Sequence, residues 1–183
     1  MKHLLKRIVS IIQGEQDLEK LIKRGLIVGR NLHRTGGVII DPSHCWHIRI
    51  GDNVSMGSYV QILAHDASTK LFLGYTRVSN VTIGNNVFIG AGTIVLPGVS
   101  IGNNVVIGAG SIVSRDIPDD SVAVGNPAKV VKSLEEYLTK EKERMNEGNT
   151  FGDEFTLRNP NFGIAERSKL LDSVNKNGWI YLN

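Results

Sequence analysis

The sequence has few cysteines and no long apolar run, and each shortage excludes a class of protein. Cys45 is the single cysteine among 183 residues, which excludes an intramolecular disulfide and every zinc site built from several cysteines, and fits a reducing compartment. No apolar run approaches the roughly 20 residues of a membrane span. At the start, MKHLLKRIVSIIQ, Lys6 and Arg7 interrupt the apolar residues and no small-residue cleavage site follows. We therefore expect a helix there, no transmembrane segment and a cytoplasmic protein.

The chain also has little net charge. Lysine and arginine number 21 against 18 acidic residues, a net charge of +3. No block of five or six basic residues occurs, and no aromatic residues alternate with basic ones as a base-stacking surface requires. We therefore expect no nucleic-acid partner, and the length favours one domain with terminal additions.

The middle of the chain repeats with a period of six. From Ile83 it reads IGNNVF, IGAGTI, VLPGVS, IGNNVV, IGAGSI and VSRDIP. The first residue of each sextet is a large aliphatic that can point into a core, the fifth is mostly small or β-branched, and Asn, Gly and Pro between them favour turns. This period belongs to neither a helix nor a hairpin, and it indicates a stacked solenoid with three sextets in each coil.

The repeat is interrupted at HDASTKLFLGYTRVSNV, which begins at His65. Ile62 and Ile83 are 21 residues apart, three more than one coil of 18. We therefore expect residues 66–80 to leave the solenoid as a loop, and loops on rigid scaffolds commonly carry function. A lone histidine usually lies on the surface without a role, but this one stands at the root of the loop.

These features resemble the hexapeptide-repeat acyltransferases, in particular the maltose/galactoside O-acetyltransferase-like group and its polysaccharide-biosynthesis members. The resemblance rests on the sextets, the HDAS break and VAVGNPAKVVK at 122–132, and it covers about residues 28–132. It implies an all-β solenoid, a left-handed parallel β-helix over residues 26–132, which is an exception to the right-handed preference of parallel crossovers. It also implies a homotrimer that binds acetyl-CoA as cosubstrate.

The same resemblance implies roles for single residues. His65 would be the general base that takes the proton of a sugar hydroxyl. The residues expected along acetyl-CoA, from the pantetheine arm to the nucleotide phosphates, are Ala91, Ala109, Ser114, Arg115, Lys129 and Lys132. Solvated surface charge is the alternative for the two lysines. On the acceptor side we expect Asp41, as an acceptor ligand or as the residue that orients His65, together with Asp66 and Phe88, which stands where the family often has Trp.

His44 and His47 have a spacing that could indicate metal ligands. In an extended segment, however, two side chains three residues apart point to opposite faces. The zinc carbonic anhydrases of the same fold use three histidines, including an H-x4-H pair that this sequence lacks. We therefore expect no metal.

Helices are expected at both ends. Residues 1–25 have apolar residues at helical spacing and would cap the solenoid. In the 133–183 segment, Ser133 to Glu136 forms a capping box that opens a helix to about Glu147, and a second helix is expected over 165–176.

The leading functional hypothesis is an acetyl-CoA-dependent O-acetyltransferase that acts on a hydroxyl of a sugar or of a surface-polysaccharide precursor. N-acetylation of an amino sugar remains an alternative, because a free amine needs the base less. A trimeric scaffold without chemistry is the other alternative, because the repeat by itself shows only a fold.

Overall fold

The structure, a computed structural model, describes residues 16–183. The chain divides into two compact units, Met1–Leu134 and Glu135–Asn183. Most of the predicted N-terminal helical cap lies outside the described residues. Within them, helix α1 spans Leu18–Lys23, and the Asp17 carboxylate accepts a hydrogen bond from the Lys20 N–H at its start (3.2 Å).

The first unit is a solenoid of short strands. Its parallel strands follow one another as β1 Ile27–Val28, β2 His33–Arg34, β3 Ile39–Ile40, β4 Ile48–Ile50, β5 Val54–Met56, β6 Gln61–Ile62, β9 Val81–Ile83, β10 Val87–Ile89, β11 Ile94–Val95, β12 Ser100–Ile101, β13 Val105–Ile107, β14 Ile112–Val113 and β15 Ser121–Val124. Two further strands, β7 His65–Asp66 and β8 Arg77–Val78, pair with each other outside the coils. The chain ends the solenoid with β16 Lys129–Ser133, antiparallel to β15.

Three parallel sheets form the walls of the solenoid. The first contains β1, β4, β9 and β12; the second contains β2, β5, β10, β13 and β15; the third contains β3, β6, β11 and β14. The chain visits the sheets in rotation, so each circuit is one coil. The predicted coil of 18 residues is confirmed where Val87 pairs with Val105 and Ile94 with Ile112.

The core is the aliphatic interior of this solenoid. The first residues of the sextets are buried as the period predicts; Ile83, Ile89, Ile101 and Ile107 are at most 2% exposed. The fifth positions are buried too, and among them Thr93 and Ser111 bond the Gly108 carbonyl oxygen at 3.2 and 2.6 Å. The hydroxyls therefore satisfy backbone groups at a coil corner.

The corner between the first and second sheets carries a ladder of side-chain amides. Asn31, Asn53, Asn86, Asn104 and Asp120 follow one another, one in each coil, with φ between 55° and 59°. Each amide Nδ2 donates to the Oδ1 of the next residue at 2.8 to 3.0 Å. Asn and Asp are the non-glycine residues that adopt this left-handed conformation most readily.

The corner between the third and first sheets carries two insertions. Ile40 pairs with Ile62, 22 positions later, which is four more than one coil. Ile62 pairs with Val95, 33 positions later, so the second insertion is fifteen residues and not the three counted from the sequence. The earlier count was wrong because Ile62 and Ile83 lie in different sheets. The fifteen extra residues fit between His65 and Val81.

The second unit contains the C-terminal helices. Helix α3 spans Leu134–Arg144, three residues shorter than expected, and the Asn149 side-chain amide donates to the Arg144 carbonyl oxygen just past its end (2.8 Å). Strand β17 (Thr150–Phe151) pairs in parallel with β18 (Tyr181–Leu182), and helix α4 spans Ile164–Asn177. Among residues 16–183, no helix is long and apolar enough to cross a membrane.

Candidate active site

His65 lies one step beyond the third sheet, at the start of the long insertion. Its Nδ1 is hydrogen-bonded to the Oδ2 of Asp41, which follows the third-sheet strand of the preceding coil. The His65 side chain is one-third exposed, whereas the Asp41 side chain is completely buried. The two residues form a dyad in which Nε2 of His65 is the nitrogen left for a substrate.

Asp41 is held by backbone groups as well as by the imidazole. Its carboxylate accepts hydrogen bonds from the N–H groups of Ser43 (2.9 Å), His44 (3.2 Å) and Ala64 (3.1 Å). Burial by itself raises the pKa of Asp41, but the hydrogen bonds from His65, Ala64 and Ser43 outweigh it and hold the pKa below its ordinary value. The dyad therefore contains an ionised carboxylate.

The long insertion is a hairpin built on β7 and β8, with the short helix α2 (Lys70–Leu73) between them. Asp66 accepts a hydrogen bond from the Ser68 N–H (2.8 Å) and forms an ion pair with Arg77 across the hairpin. Together these contacts lower the pKa of Asp66 to about 2. Apolar side chains at the tip are exposed: Leu71, Phe72, Leu73 and Tyr75.

A cleft of about 910 Å³ opens between the hairpin and the solenoid. Leu63, Leu96 and Ser114 line it from three successive coils, and His65 and Asp66 line it at the root of the hairpin. Further lining residues, which the sequence did not single out, are Ala67, Arg77, Val78, Ser79 and Pro97. This volume lies within the range of small-molecule sites.

The residues expected along acetyl-CoA lie at different places in one copy of the chain. Ser114 lines the cleft with His65, and Arg115 follows it, exposed. Ala91 and Ala109 are exposed at the corner between the second and third sheets, one coil apart, where the Ala91 carbonyl oxygen accepts the Gly110 N–H (2.8 Å). A single copy therefore divides this set between two corners.

The two expected lysines lie on β16. Lys129 pairs with Val124 and Lys132 with Val122, and an irregularity in the pairing accommodates one extra residue between them. Because Val122 and Val124 share a face of β15, the irregularity brings both lysines to the same face.

Phe88 lies on the outer face of the second sheet, between Ser55 and Val106 of adjacent strands. Its side chain is half exposed. It is not among the residues that line the cleft around His65, so within one copy it is separate from the dyad.

The expectation of an extended backbone around His44 and His47 is wrong. The four-residue insertion places a 3₁₀ turn at Cys45–His47. The ring of His44 lies 4.8 Å from that of His65, and Nδ1 of His47 is 2.8 Å from Oδ1 of Asn80. Sequence reasoning missed the neighbour of the dyad because the insertion does not follow the repeat.

Asp41, His44 and His65 offer three possible metal-ligand atoms within 4.8 Å of one another. Nδ1 of His65 already forms its hydrogen bond with Asp41. A metal ion bound through that nitrogen would have to replace this hydrogen bond. The geometry as it stands is that of an oriented imidazole.

Comparison with known proteins finds similarity to acetyltransferases. The bacterial transferase hexapeptide (six repeats) family model matches residues 80–115. Protein CapG of Staphylococcus aureus is 52% identical over 97 residues, 51% of this chain and 56% of CapG. The chain spans about half the length of the curated relatives it matches.

Solved structures that share the fold include two acetyltransferases. A maltose O-acetyltransferase from Clostridium difficile 630 is 32% identical with a TM-score of 0.52, over 69% of this chain and 83% of that one. A hexapeptide-repeat acetyltransferase from Vibrio cholerae, crystallised with acetyl-coenzyme A, is 28% identical with a TM-score of 0.53, over 58% and 59% of the two chains. From the repeat, the fold and this extent of shared sequence, the chain belongs to the hexapeptide-repeat acyltransferase family.

Proposed function

We propose that the protein is an acetyl-CoA-dependent O-acetyltransferase that acetylates a hydroxyl of a sugar or of a surface-polysaccharide precursor. The observation that carries this proposal is the dyad. A buried, ionised Asp41 fixes one nitrogen of His65, and the other nitrogen is left at the mouth of a cleft. The relatives named as acetyltransferases support the same reaction class.

The dyad suits transfer to a hydroxyl. A sugar hydroxyl is a poor nucleophile at neutral pH, so it needs a base within hydrogen-bond reach. As its oxygen attacks the thioester carbonyl, Nε2 of His65 takes the hydroxyl proton. The tetrahedral intermediate then collapses, the C–S bond breaks, and the imidazolium returns the proton to the CoA sulfur. The products are the acetyl ester and free CoA, and no covalent enzyme intermediate forms.

Asp41 acts through His65. Its hydrogen bond at Nδ1 holds the tautomer whose Nε2 lone pair accepts a proton, and its negative charge stabilises the imidazolium that follows. A free amine acceptor would need a His–Asp dyad less, and a protein that serves only as a structural scaffold would not need one at all. The dyad therefore favours O-acetylation over the two alternatives.

The acetyl-CoA track in this proposal requires neighbouring copies. Ser114 and Arg115 lie at the cleft corner, whereas Ala91 and Ala109 lie at another corner of the same coils. A homotrimer, with the left-handed coil of the family, would set the cleft corner of one copy beside the alanine corner of the next. Lys129 and Lys132, which share a face of β16, would then meet the nucleotide phosphates.

The hairpin tip and the acceptor residues fit the same arrangement. Leu71, Phe72 and Tyr75 are at least 80% exposed, and contact with a neighbouring copy would cover them. Asp66 lines the cleft beside His65 and is proposed as an acceptor ligand. Phe88, half exposed on the second sheet, is proposed to reach the acceptor site of an adjacent copy.

Free-thiol release from acetyl-CoA with a panel of sugars tests the proposal. We expect acceptor-dependent thiol release that His65→Ala lowers by about 10²- to 10⁴-fold, the usual contribution of a general base. Acetyl-CoA binding should persist in this variant. Unchanged turnover in His65→Ala would exclude His65 as the base. Light scattering should give three times the 20.0 kDa mass of one chain.

A further inference from the structure

A row of aromatic rings extends away from the dyad along the four-residue insertion. The ring of His44 lies 4.8 Å from that of His65, Trp46 lies 5.6 Å from His44, and His47 lies 5.9 Å from Trp46. We call these four side chains the aromatic row. Trp46 is 49% exposed, whereas its neighbour Cys45 is completely buried.

The row is fixed by contacts on both sides. The buried Sγ of Cys45 lies 3.6 Å from the Leu21 carbonyl oxygen, which anchors the 3₁₀ turn to α1. Gly25 lets the chain pass close to Trp46, because a Cβ at Gly25 would lie 2.8 Å from the Trp46 Cβ. The hydrogen bond between His47 and Asn80 joins the row to the C-terminal end of the hairpin. An exposed indole held in this way is preorganised for a ligand.

The row combines aromatic surface with polar atoms. The indole N–H of Trp46 can donate to a hydroxyl, and each imidazole has an Nε2 that can bond one. The Nδ1 atoms of His65 and His47 are hydrogen-bonded to Asp41 and Asn80. Nδ1 of His44 is buried and has no hydrogen-bond partner among residues 16–183. The side chain as a whole is 26% exposed, so other atoms of the ring face outward. A sugar ring has an apolar face of C–H groups and hydroxyls at its edge. An aromatic ring packs against the C–H face, and donors and acceptors beside it bond the hydroxyls.

We infer that the acceptor is an oligosaccharide of at least two sugar units. The reacting unit lies beside His44 with its hydroxyl at His65, and the next unit stacks on Trp46. His44 and Trp46 are not among the residues that line the cleft, so the row extends from His65 outside it. His44 stands between the base and the indole, so one sugar unit cannot occupy both ends of the row. This inference rests on the proposed acetyl transfer and makes Trp46 the residue that selects chain length.

The kinetic test compares disaccharides with single sugars. Turnover of maltose, cellobiose and lactose is measured against methyl glucoside and methyl galactoside in the wild type and in Trp46→Ala. We expect the preference in kcat/KM for a disaccharide to fall about tenfold in the variant, mainly through acceptor KM, with acetyl-CoA KM unchanged. Trp46→Phe should retain most of the preference. The matched control is Trp179→Ala, which removes the other tryptophan side chain, also exposed, from the second unit.

A binding test is independent of turnover. Trp46 and Trp179 are the two tryptophans of the chain, so in Trp179→Phe the fluorescence reports on Trp46 alone. We expect the disaccharides, and not the methyl glycosides, to change this fluorescence saturably in the presence of CoA. Thiol release without any sugar dependence in the wild type would overturn the acetyl-transfer proposal, and this titration would still decide the role of Trp46.

Several results would overturn the inference itself. One is an equal loss of kcat/KM for single sugars and disaccharides in Trp46→Ala, or no loss for either. Another is fluorescence that none of the saccharides alters. A change of oligomeric mass in Trp46→Ala, with acceptor kinetics preserved, would show that the row packs against another copy instead.

Discussion

Asp41→Asn tests the dyad most directly, because it keeps the size of a buried side chain and removes its charge. The Asp41 carboxylate accepts hydrogen bonds from His65 and from the N–H groups of Ser43 and Ala64. An amide has one oxygen and one donor group, so it cannot serve all of these donors. Its N–H can instead face Nδ1 of His65. The imidazole then carries its proton on Nε2 and has no lone pair toward the cleft.

The expected loss of rate follows from the hydrogen bond that is removed. A hydrogen bond to a charged group contributes about 1.5–3 kcal/mol, and each 1.36 kcal/mol changes a rate tenfold, so kcat should fall by about 10- to 150-fold. The change of tautomer lowers kcat further. The largest possible total loss is the whole contribution of the general base, which is the loss expected for His65→Ala. Because the two residues act as a unit, the double variant should be no slower than His65→Ala alone.

Thiol release at saturating acetyl-CoA and acceptor measures the loss, and ¹⁵N NMR of the His65 ring reads the tautomer. We expect Nδ1 protonated in the wild type and Nε2 protonated in Asp41→Asn. The matched control is Asp52→Asn. Oδ1 of Asp52 accepts a backbone N–H at a corner of the solenoid, and Oδ1 of Asn85 and of Asn103 does the same in later coils. Because asparagine already serves at the equivalent positions, Asp52→Asn should leave kcat unchanged. A folded Asp41→Asn protein with kcat within about twofold of the wild type, or a wild-type ring protonated at Nε2, would refute the reasoning.

Three further predictions concern the hairpin, the ladder and the cosubstrate. The pKa of Asp66, lowered to about 2 by the N–H of Ser68 and by Arg77, should be visible in a carboxyl NMR titration, and Arg77→Gln should raise it only part of the way to its ordinary value. Because the folded pKa lies below the unfolded one, Asp66 stabilises the fold above about pH 4, and urea unfolding should show that contribution disappear as the pH falls toward 2. Asn86→Ala should lower the unfolding free energy by about 3 kcal/mol, through two ladder hydrogen bonds and a strained positive φ, whereas Asn86→Gly should cost only about 1–2 kcal/mol; equal losses would show that the φ is not strained. Lys132→Ala should raise the KM for acetyl-CoA by about three- to tenfold with the acceptor KM nearly unchanged, and an unchanged CoA affinity would remove Lys132 from the phosphate site.

The solenoid could be predicted from the sequence because its repeat is local. Each sextet places one aliphatic residue inward, and the structure buries Ile83, Ile89 and Ile101 as that period requires. The length of the long insertion could not be read in the same way, because counting from Ile62 to Ile83 compares positions in two different sheets. Only the pairing of Ile62 with Val95 shows the fifteen extra residues.

The candidate site was predictable to a smaller extent. His65 was identified from the break and the family motif, and Asp41 had two possible roles, of which the contact with His65 supports orientation. That contact joins residues 24 positions apart, and it follows from the pairing of β3 with β6 rather than from any spacing in the sequence. The position of His44 beside His65, and the presence of Trp46 next to it, were missed because an insertion adopts a turn that the repeat does not encode.

The restriction of both insertions to one corner has a consequence for how such a chain can change during evolution or engineering. Removal of residues 66–80 would join His65 directly to Val81 and restore the 18-residue spacing between Ile62 and its partner in the next coil. Segments of other lengths could be exchanged there without shifting the asparagine ladder or the strand pairing elsewhere. Deletions and insertions at this corner can thus change the hairpin, and with it the wall of the cleft, while the coils of the solenoid keep their pairing.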